Sequence, residues 1–398
     1  MKGCMDIMSN CMVQDKKNEC CGCSICMKIC PVNAIKMEVD EEGFSYPQID
    51  KNKCINCGLC KKNCAFANND NDNKDNTIEK AYLAKHKKED IRMNSRSGGI
   101  FVSASDWILK LNGVVYGCIL DENMRAKHVR ATKVEDRNKM CKSKYVESNV
   151  NNTFEEVEED LKNGKKVLYS GTGCQIDSLI KFLKYKKANI ENLYTIDIVC
   201  HGCVSSQLYN EYIEWLEKKH HGKITNFEFR DKTVCGWDGH KESYVVNGRK
   251  FSNSIYRNIF YTNLALRPSC YNCKYANIVH KSDLTIADAW GIDNVSPEFN
   301  DNKGVSMFLV QSQKGNELLE VIKSECDVIE TDLKKVLQPN QQRPTPLKNN
   351  RDEFWDIYNK KGFNGILKKY GISYKKEIKF QIKYKMRQLI NKRKQYLP

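Results

Sequence analysis

Apolar positions along this chain change their spacing from segment to segment, and each spacing predicts an element. Ala34 to Val39 (AIKMEV) alternates like a strand, Glu41-Glu42-Gly43 marks a turn, and Phe44-Ser45-Tyr46 begins a return strand. Ser97 precedes Gly98-Gly99 and the helical run FVSASDWILKL, so it is the expected cap of a helix that Asn112-Gly113 ends. Val114-Val115-Tyr116 reads as a strand, residues 154–162 (FEEVEEDLK) as an amphipathic helix closed by Asn163-Gly164, and Val167-Leu168-Tyr169 as a short buried strand. After the turn Ser170-Gly171-Thr172-Gly173-Cys174, a helix is expected from Ile176 to about Lys186. Leu193 to Val199 is a further strand, and Cys200-His201-Gly202 turns into a helix over Leu208–Lys219. Strand, glycine turn and helix repeated in this way predict an α/β domain with a mainly parallel or mixed sheet.

Two stretches interrupt the pattern. Residues 66–77 (FANNDNDNKDNT) are polar and aperiodic, and residues 338–350 (QPNQQRPTPLKNN) hold three of the eight prolines. The expected division is an N-terminal tail (1–17), a small α+β domain (18–65), a linker (66–79), the large α/β domain (80–337) and a basic, helical tail (338–398). Residues 1–19 lack the apolar core of a secretory signal. The richest apolar stretch, Ile100 to Leu120, is broken by Asp106 and Lys110, so no membrane span is expected. Such a chain is expected in the cytoplasm, where its 20 cysteines would serve as ligands, redox groups or core thiols rather than disulfides.

The formal charge of +15 is unevenly spread: residues 1–79 carry −2, residues 80–338 carry +5, and residues 339–398 carry +12. A basic end without a reader motif argues against nucleic acid as the partner. Residues 374–397 place Ile378, Ile382, Met386, Leu389, Ile390 and Leu397 at near-helical spacing among Lys and Arg. A helix of that kind suits peripheral contact with an anionic membrane or an acidic protein, and equally suits packing on its own domain.

The strongest chemical signal lies in the cysteines. Cys20, Cys23, Cys26 and Cys30 follow C-x2-C-x2-C-x3-C with Pro31 behind, and Cys54, Cys57, Cys60 and Cys64 repeat the spacing 34 residues later with Ala65 in place of the proline. Three thiolates two residues apart let one loop hold three corners of a cubane, and the displaced fourth reaches the neighbouring cubane. Cys20, Cys23, Cys26 and Cys64 are therefore expected to hold one 4Fe–4S cluster, and Cys54, Cys57, Cys60 and Cys30 a second, in a bacterial-ferredoxin-type domain. The competing reading, a pair of zinc knuckles, calls for C-x2-C pairs at a longer separation. Cys21 is out of register and reads as a bystander, while Cys4 and Cys11 fit no motif.

Four more cysteines fall in the large domain. Cys174 and Cys200 each follow a predicted strand and precede a helix, which places both at the carboxyl edge of the sheet, where such sheets bind ligands. Cys270 and Cys273 form a C-x2-C pair in RPSCYNCKYAN. These four either close a third cubane, or are two small core residues and half a zinc site.

The ordered segments SRSGGIF (95–101), SKYVESN (143–149), VLYSGTGCQID (167–177), DIVCHGCVS (197–205), FRDK (229–232), LRPSCYNCKYA (266–276) and SDLTIADAWGI (282–292) resemble the beta-subunit family of coenzyme F-420 hydrogenases and dehydrogenases. The resemblance spans about residues 20–292. It implies an FAD beside a third 4Fe–4S cluster, with Cys174, Cys200, Cys270 and Cys273 as the ligands and Cys203 as a second choice. For the flavin, Ser97, Gly98 and Gly99 at a helix start and Gly171, Thr172 and Gly173 at the sheet edge are candidate phosphate contacts, with Lys144 as a countercharge. Each also has a plain reading as a cap, a turn or a solvated lysine. His201 is the candidate proton donor, or else fixes its own loop. Asp283, Asp288 and Trp290 read as structural around the site, and Cys118, Cys141, Cys235 and Cys326 as ordinary thiols. No G-x-G-x-x-G fingerprint marks a nicotinamide site.

The expected activity is that of an iron–sulfur flavoprotein oxidoreductase with a redox partner protein or ferredoxin-like donor and a small-molecule substrate. That substrate is coenzyme F-420-like or an intermediate of surface-polysaccharide metabolism. The alternatives are an electron-transfer subunit without its own substrate and, more remotely, a zinc-stabilised non-redox scaffold.

Overall fold

The computed structural model describes residues 16–67 and 78–372. Cys4, Cys11, most of the linker and the basic helix expected at 374–397 lie outside the described residues. Among the described residues no helix is long and apolar enough to cross a membrane.

The N-terminal segment is small. Strands β1 (Ile35–Val39) and β2 (Ser45–Ile49) pair antiparallel from Ile35 opposite Ile49 to Val39 opposite Ser45. This is the hairpin that the alternation predicts, and one-turn helices Ile25–Lys28 and Leu59–Lys62 flank it.

Eight strands build the main sheet: β3 (Lys80–His86), β4 (Val114–Leu120), β5 (Ala126–Ala131), β6 (Val167–Thr172), β7 (Leu193–Ile198), β11 (Leu284–Asp288), β12 (Ser306–Val310) and β13 (Cys326–Asp332). Their order is β13-β3-β12-β11-β7-β6-β4-β5. The pairs β4/β6, β6/β7 and β7/β11 are parallel and the others antiparallel, so the sheet is mixed and only its middle is parallel. The short connection from β4 to β5, residues 121–125, leaves no room for a crossover and forces an antiparallel return.

Alternation along the strands sorts side chains to two buried faces. Val114, Tyr116, Val167, Tyr169 and Leu193 pack with helices Thr153–Lys162 and Gly173–Tyr185, through Phe154, Val157, Leu179 and Phe182. Val115, Leu168, Tyr194 and Ile196 pack on the other face with helices Ile100–Lys110 and Gln313–Glu325, through Ala104, Ile108, Leu318 and Ile322. Covering both faces makes the strands read as continuous apolar runs.

Strands β8 (Ile224–Glu228), β9 (Glu242–Val246) and β10 (Arg249–Asn253) form a second, three-stranded antiparallel sheet. Its β9–β10 turn is Asn247-Gly248, with φ of 49° and 74°, the positive values a tight hairpin needs. The C-terminal boundary expected at residue 338 is not where packing ends. Helix Arg351–Ile366 buries Phe354, Trp355, Tyr358 and Phe363 in the same cluster as Phe44, Tyr212, Phe227 and Tyr256. The basic residues that follow, 374–397, made this charge-balanced helix look like tail. Arg351 also pairs with both carboxylate oxygens of Glu42, tying the N-terminal hairpin to this helix.

Candidate iron–sulfur and redox site

The two cysteine runs fold alike. Cys26 and Cys60 lie in the one-turn helices, each entered through a left-handed residue, Ser24 (φ 62°) and Gly58 (φ 72°). Cys30 Sγ accepts the Ala34 amide at 3.3 Å, and Cys64 Sγ accepts the Ala67 amide at 3.4 Å. Burial pushes the Cys26 thiol well up, and the neighbouring sulfurs of Cys23, Cys20 and Cys64 add to it. These are the four thiols expected around the first cluster. Cys30, Cys54, Cys57 and Cys60, expected around the second, line one apolar pocket with Pro31, Ile35 and Ile49. Cys57 is exposed, so this pocket lies at the surface end of the segment.

At the main sheet, β6 and β7 are adjacent and parallel, with Thr172 opposite Ile198. Cys174 therefore opens the helix after β6 while Cys200 follows β7, both at the carboxyl edge. The loop carrying Cys270 and Cys273 lies along the chain after Cys200: Val204 bridges Leu266, and Arg267 N donates to Cys203 O at 3.0 Å. Gly202 sits at φ 130°, and a Cβ there would come within 2.9 Å of Leu266 and 3.2 Å of Cys270, so the two loops approach through a glycine. Burial drives the Cys200 thiol well up, reinforced by Cys270, Cys174 and Cys273. Burial, then Cys270 and Cys174, push Cys273 up to about 12. Four sulfurs from three segments thus face one another. Among the described residues every cysteine is a free thiol, and no three His, Cys, Asp or Glu side chains close on a single-ion site.

Two features join these regions. Cys64, Phe66 and Tyr275 form one apolar cluster against which Cys21, Cys174 and Cys273 pack. Cys21, a bystander by spacing, has its thiol pushed well up by Cys174 and then Cys23, one sulfur from each region. The second feature is Arg267, only 1% exposed. Its Nε donates to Cys20 O and its Nη2 to Ser45 O, both at 2.7 Å, and its Nη1 pairs with Glu147. The same guanidinium helps lower the Cys270 thiol, after the Cys203 hydrogen bond. One buried cation therefore lies between the N-terminal cysteines and those of the sheet edge.

The candidate flavin contacts are occupied otherwise. Ser97 does not cap the helix: its Oγ donates to Val305 O at 2.5 Å, and Gly99 holds the N-cap position at φ 92°. The Gly98 amide donates to Ser306 Oγ at 2.8 Å, and a Cβ at Gly98 would fall 2.0 Å from Ala84 O. This glycine lets the turn press against β3 and β12. β6 continues through Gly171 and Thr172, where a loop was expected, because both residues pair with β7. The Thr172 amide is taken by Gln175 Oε1 at 3.0 Å, and Gly173 packs beneath Tyr275. Lys144 Nζ donates to the carbonyls of Lys139, Met140, Cys141 and Lys142, which ties its own loop. His201 has its ring nitrogens against Asn263 Oδ1 (2.7 Å) and Asn340 Oδ1 (3.3 Å). Asp283 is structural: Oδ2 accepts from Thr195 N and Oγ1, and Oδ1 from Ser312 Oγ. A cleft of about 950 Å³ lies beside Ser95, Val102 and Lys144, lined by Lys139 and Lys142 and also by Asp106, Asp121 and Glu228. That volume matches a cofactor-sized site.

A cluster that spacing did not reveal sits at the end of β11. Asp288 Oδ2 forms an ion pair with Arg96 (3.3 Å) and accepts from Arg230 (3.2 Å), and Asp288 Oδ1 accepts from Trp237 Nε1 (3.0 Å). Trp290 stacks on Trp237 at 5.0 Å, so Asp288 and Trp290 belong to a charged and aromatic site as well as to the framework. His240 Nδ1 meets Tyr261 Oη at 3.1 Å, and Tyr261 packs on the His201 ring. The cluster thus runs from β11 toward Cys200. The only sequence signal was that Arg96, Arg230 and Asp288 stand in three of the quoted segments.

Eight thiols in two runs beside a mixed α/β sheet define an iron–sulfur electron-transfer protein. Residues 19–68 match the 4Fe-4S dicluster domain family. Residues 164–335 match the family described as the C terminus of the beta subunit of coenzyme F420 hydrogenase/dehydrogenase. The chain thus has a segment similar to iron–sulfur dicluster domains, followed by one similar to the C terminus of that beta subunit. One similar solved structure is a chain of the F420-reducing NiFe hydrogenase complex from Methanosarcina barkeri, at 16% identity and a TM-score of 0.44, covering 72% of this chain and 89% of that one. Among curated proteins, none matches.

Proposed function

We propose that the protein is an iron–sulfur flavoprotein oxidoreductase holding three 4Fe–4S clusters and one FAD, and that it passes electrons between a protein donor and an anionic or polar small molecule. One observation carries the reading: Cys174, Cys200, Cys270 and Cys273 converge at the carboxyl edge of parallel strands, beside the dicluster segment. The donor set is all thiolate, which suits iron–sulfur clusters. The shared packing of Cys64, Phe66, Tyr275 and Cys174 supports a continuous path from the exposed Cys57 end to the sheet edge.

For the flavin, the cleft beside Ser95 has the required size, whereas the amides of Gly98 and Thr172 are already used. A bound flavin would supply the exchange between single electrons and electron pairs. This chain's own residues orient and enclose the site, with His201 held between two asparagines and Asp288 between two arginines.

Protein purified without oxygen and assayed for iron, sulfide and FAD tests the reading. About twelve irons and one FAD per chain are expected, four irons per cubane. About eight irons without flavin would reduce the protein to a ferredoxin-type subunit. Zinc without labile sulfide would remove the redox reading altogether.

A further inference from the structure

We propose that Arg96 and Arg230 form an anion site that takes a carboxylate or phosphoryl group of the small molecule on which the protein acts. The inference rests on the redox reading above and adds the chemical class of its substrate.

The argument starts from charge. Two guanidinium groups share one oxygen of one carboxylate, while the other oxygen of Asp288 is occupied by the Trp237 indole. The trio therefore carries one positive charge in excess. Both arginine side chains are close to fully buried, 11% and 6% exposed. Arg230 meets its remaining needs at Gly239 O and Trp237 O. Arg96 does not: its Nη2 donates to Trp237 O at 2.9 Å, but Nε and Nη1 are buried without a partner. Each unmade bond of that kind costs about 1–3 kcal/mol, and more beside a charge. Buried polar groups are otherwise almost always satisfied.

Neighbouring bases record the same excess charge. Burial, then Arg96 and Arg92, bring Lys232 down to about 7. Burial, then Arg230 and Arg96, hold His240 well below its ordinary value. Among the described residues no second carboxylate joins Asp288 on either guanidinium. A purely structural network would have supplied one, since two like charges in a poorly solvated place repel.

The surroundings suit a ligand rather than solvent. Trp237 is buried beside both arginines, and Trp290, stacked on it, is 45% exposed. Arg230 and Arg96 lie 5.0 and 5.8 Å from the Trp290 ring centre. β11 neighbours β7, so an anion held here lies one strand from the Cys200 turn.

The test uses the full-length protein with its clusters, in flavin-loaded and flavin-depleted forms. Inorganic pyrophosphate and malonate are titrated by calorimetry and by tryptophan fluorescence. Saturable binding to the loaded form is expected, weakened at least tenfold in Arg96→Gln and Arg230→Gln and partly kept in Arg96→Lys. Iron content and thermal midpoints show that the variants fold. Binding that appears only after flavin is removed would assign the site to the flavin's own phosphates and overturn the substrate assignment. Absence of binding in both forms, or an Arg96→Gln variant that binds like wild type, would overturn the site itself. Missing flavin or a missing third cluster would instead strike the redox reading, while the titration would still decide the anion site.

Discussion

The dicluster segment and the sheet edge assemble thiols in opposite ways. In the first, two runs of identical spacing bring eight sulfurs together within 45 residues, and one-turn helices with left-handed entries set the geometry locally. In the second, four sulfurs arrive from the end of β6, the end of β7 and a loop near residue 270, and they meet only because β6 and β7 are neighbours. The first arrangement survives wherever its short loop can fold. The second depends on the whole sheet and on the loops that Gly202 and Arg267 draw together. Residues that couple the two regions, such as Cys21 and Arg267, consequently have no local signature.

The contrast can be broken most severely at the ligands. Cys200→Ser is expected to remove about four irons per chain and bring substrate turnover to background, while Cys57→Ser removes about four irons from the outer pocket and spares reduction of the sheet-edge centre by a dye. Iron and sulfide assays with dye-linked turnover check both, and a Cys200→Ser protein that keeps its full iron would sink the third-cluster assignment.

Arg267 probes the joint between the regions. Arg267→Ala leaves Glu147 unpaired in the interior and frees the carbonyls of Cys20 and Ser45. A loss of about 3–5 kcal/mol is expected from removing one partner of a buried pair, read as a shift of the urea midpoint. Arg267→Lys keeps the charge without the fork and should fall between.

The smallest effect tests the three-stranded sheet. Glu242, 1% exposed at the start of β9, has its carboxyl pushed up to about 7, chiefly by burial, from an ordinary 4.5. Between those values the folded protein keeps a proton that the unfolded chain releases. Stability is therefore full below about 4.5 and declines as pH rises through about 7, by about 3 kcal/mol in all. Glu242→Gln should flatten that slope in denaturant titrations at pH 5 and pH 8, and an unchanged slope would place the proton elsewhere.

Much of the fold was legible because it follows from local periodicity. The β1–β2 hairpin, the helices at 100–110 and 153–162 and the strands at 114, 167 and 193 all lie where apolar spacing puts them. The misreadings share one cause. Ser97-Gly98-Gly99 looked like a capped, phosphate-ready helix start, but Gly98 is needed for contact with Ala84, a residue of another strand. Lys144 looked like a countercharge for phosphate, yet four carbonyls of its own loop surround its ammonium. Asn247-Gly248 carries its hairpin signal in two positive-φ residues, and helix Arg351–Ile366 reads as tail only because the strongly basic residues 374–397 follow it.

Spacing by itself determined the eight dicluster thiols and the alternation of strand and helix, since both depend on residues a few positions apart. Tertiary structure decided the rest: that Cys174 and Cys200 share an edge, that Arg267 lies between two sets of sulfurs, and that Arg96 and Arg230 compete for Asp288. Those meetings join positions tens to hundreds of residues apart. They follow from strand order and loop approach, which no local spacing encodes.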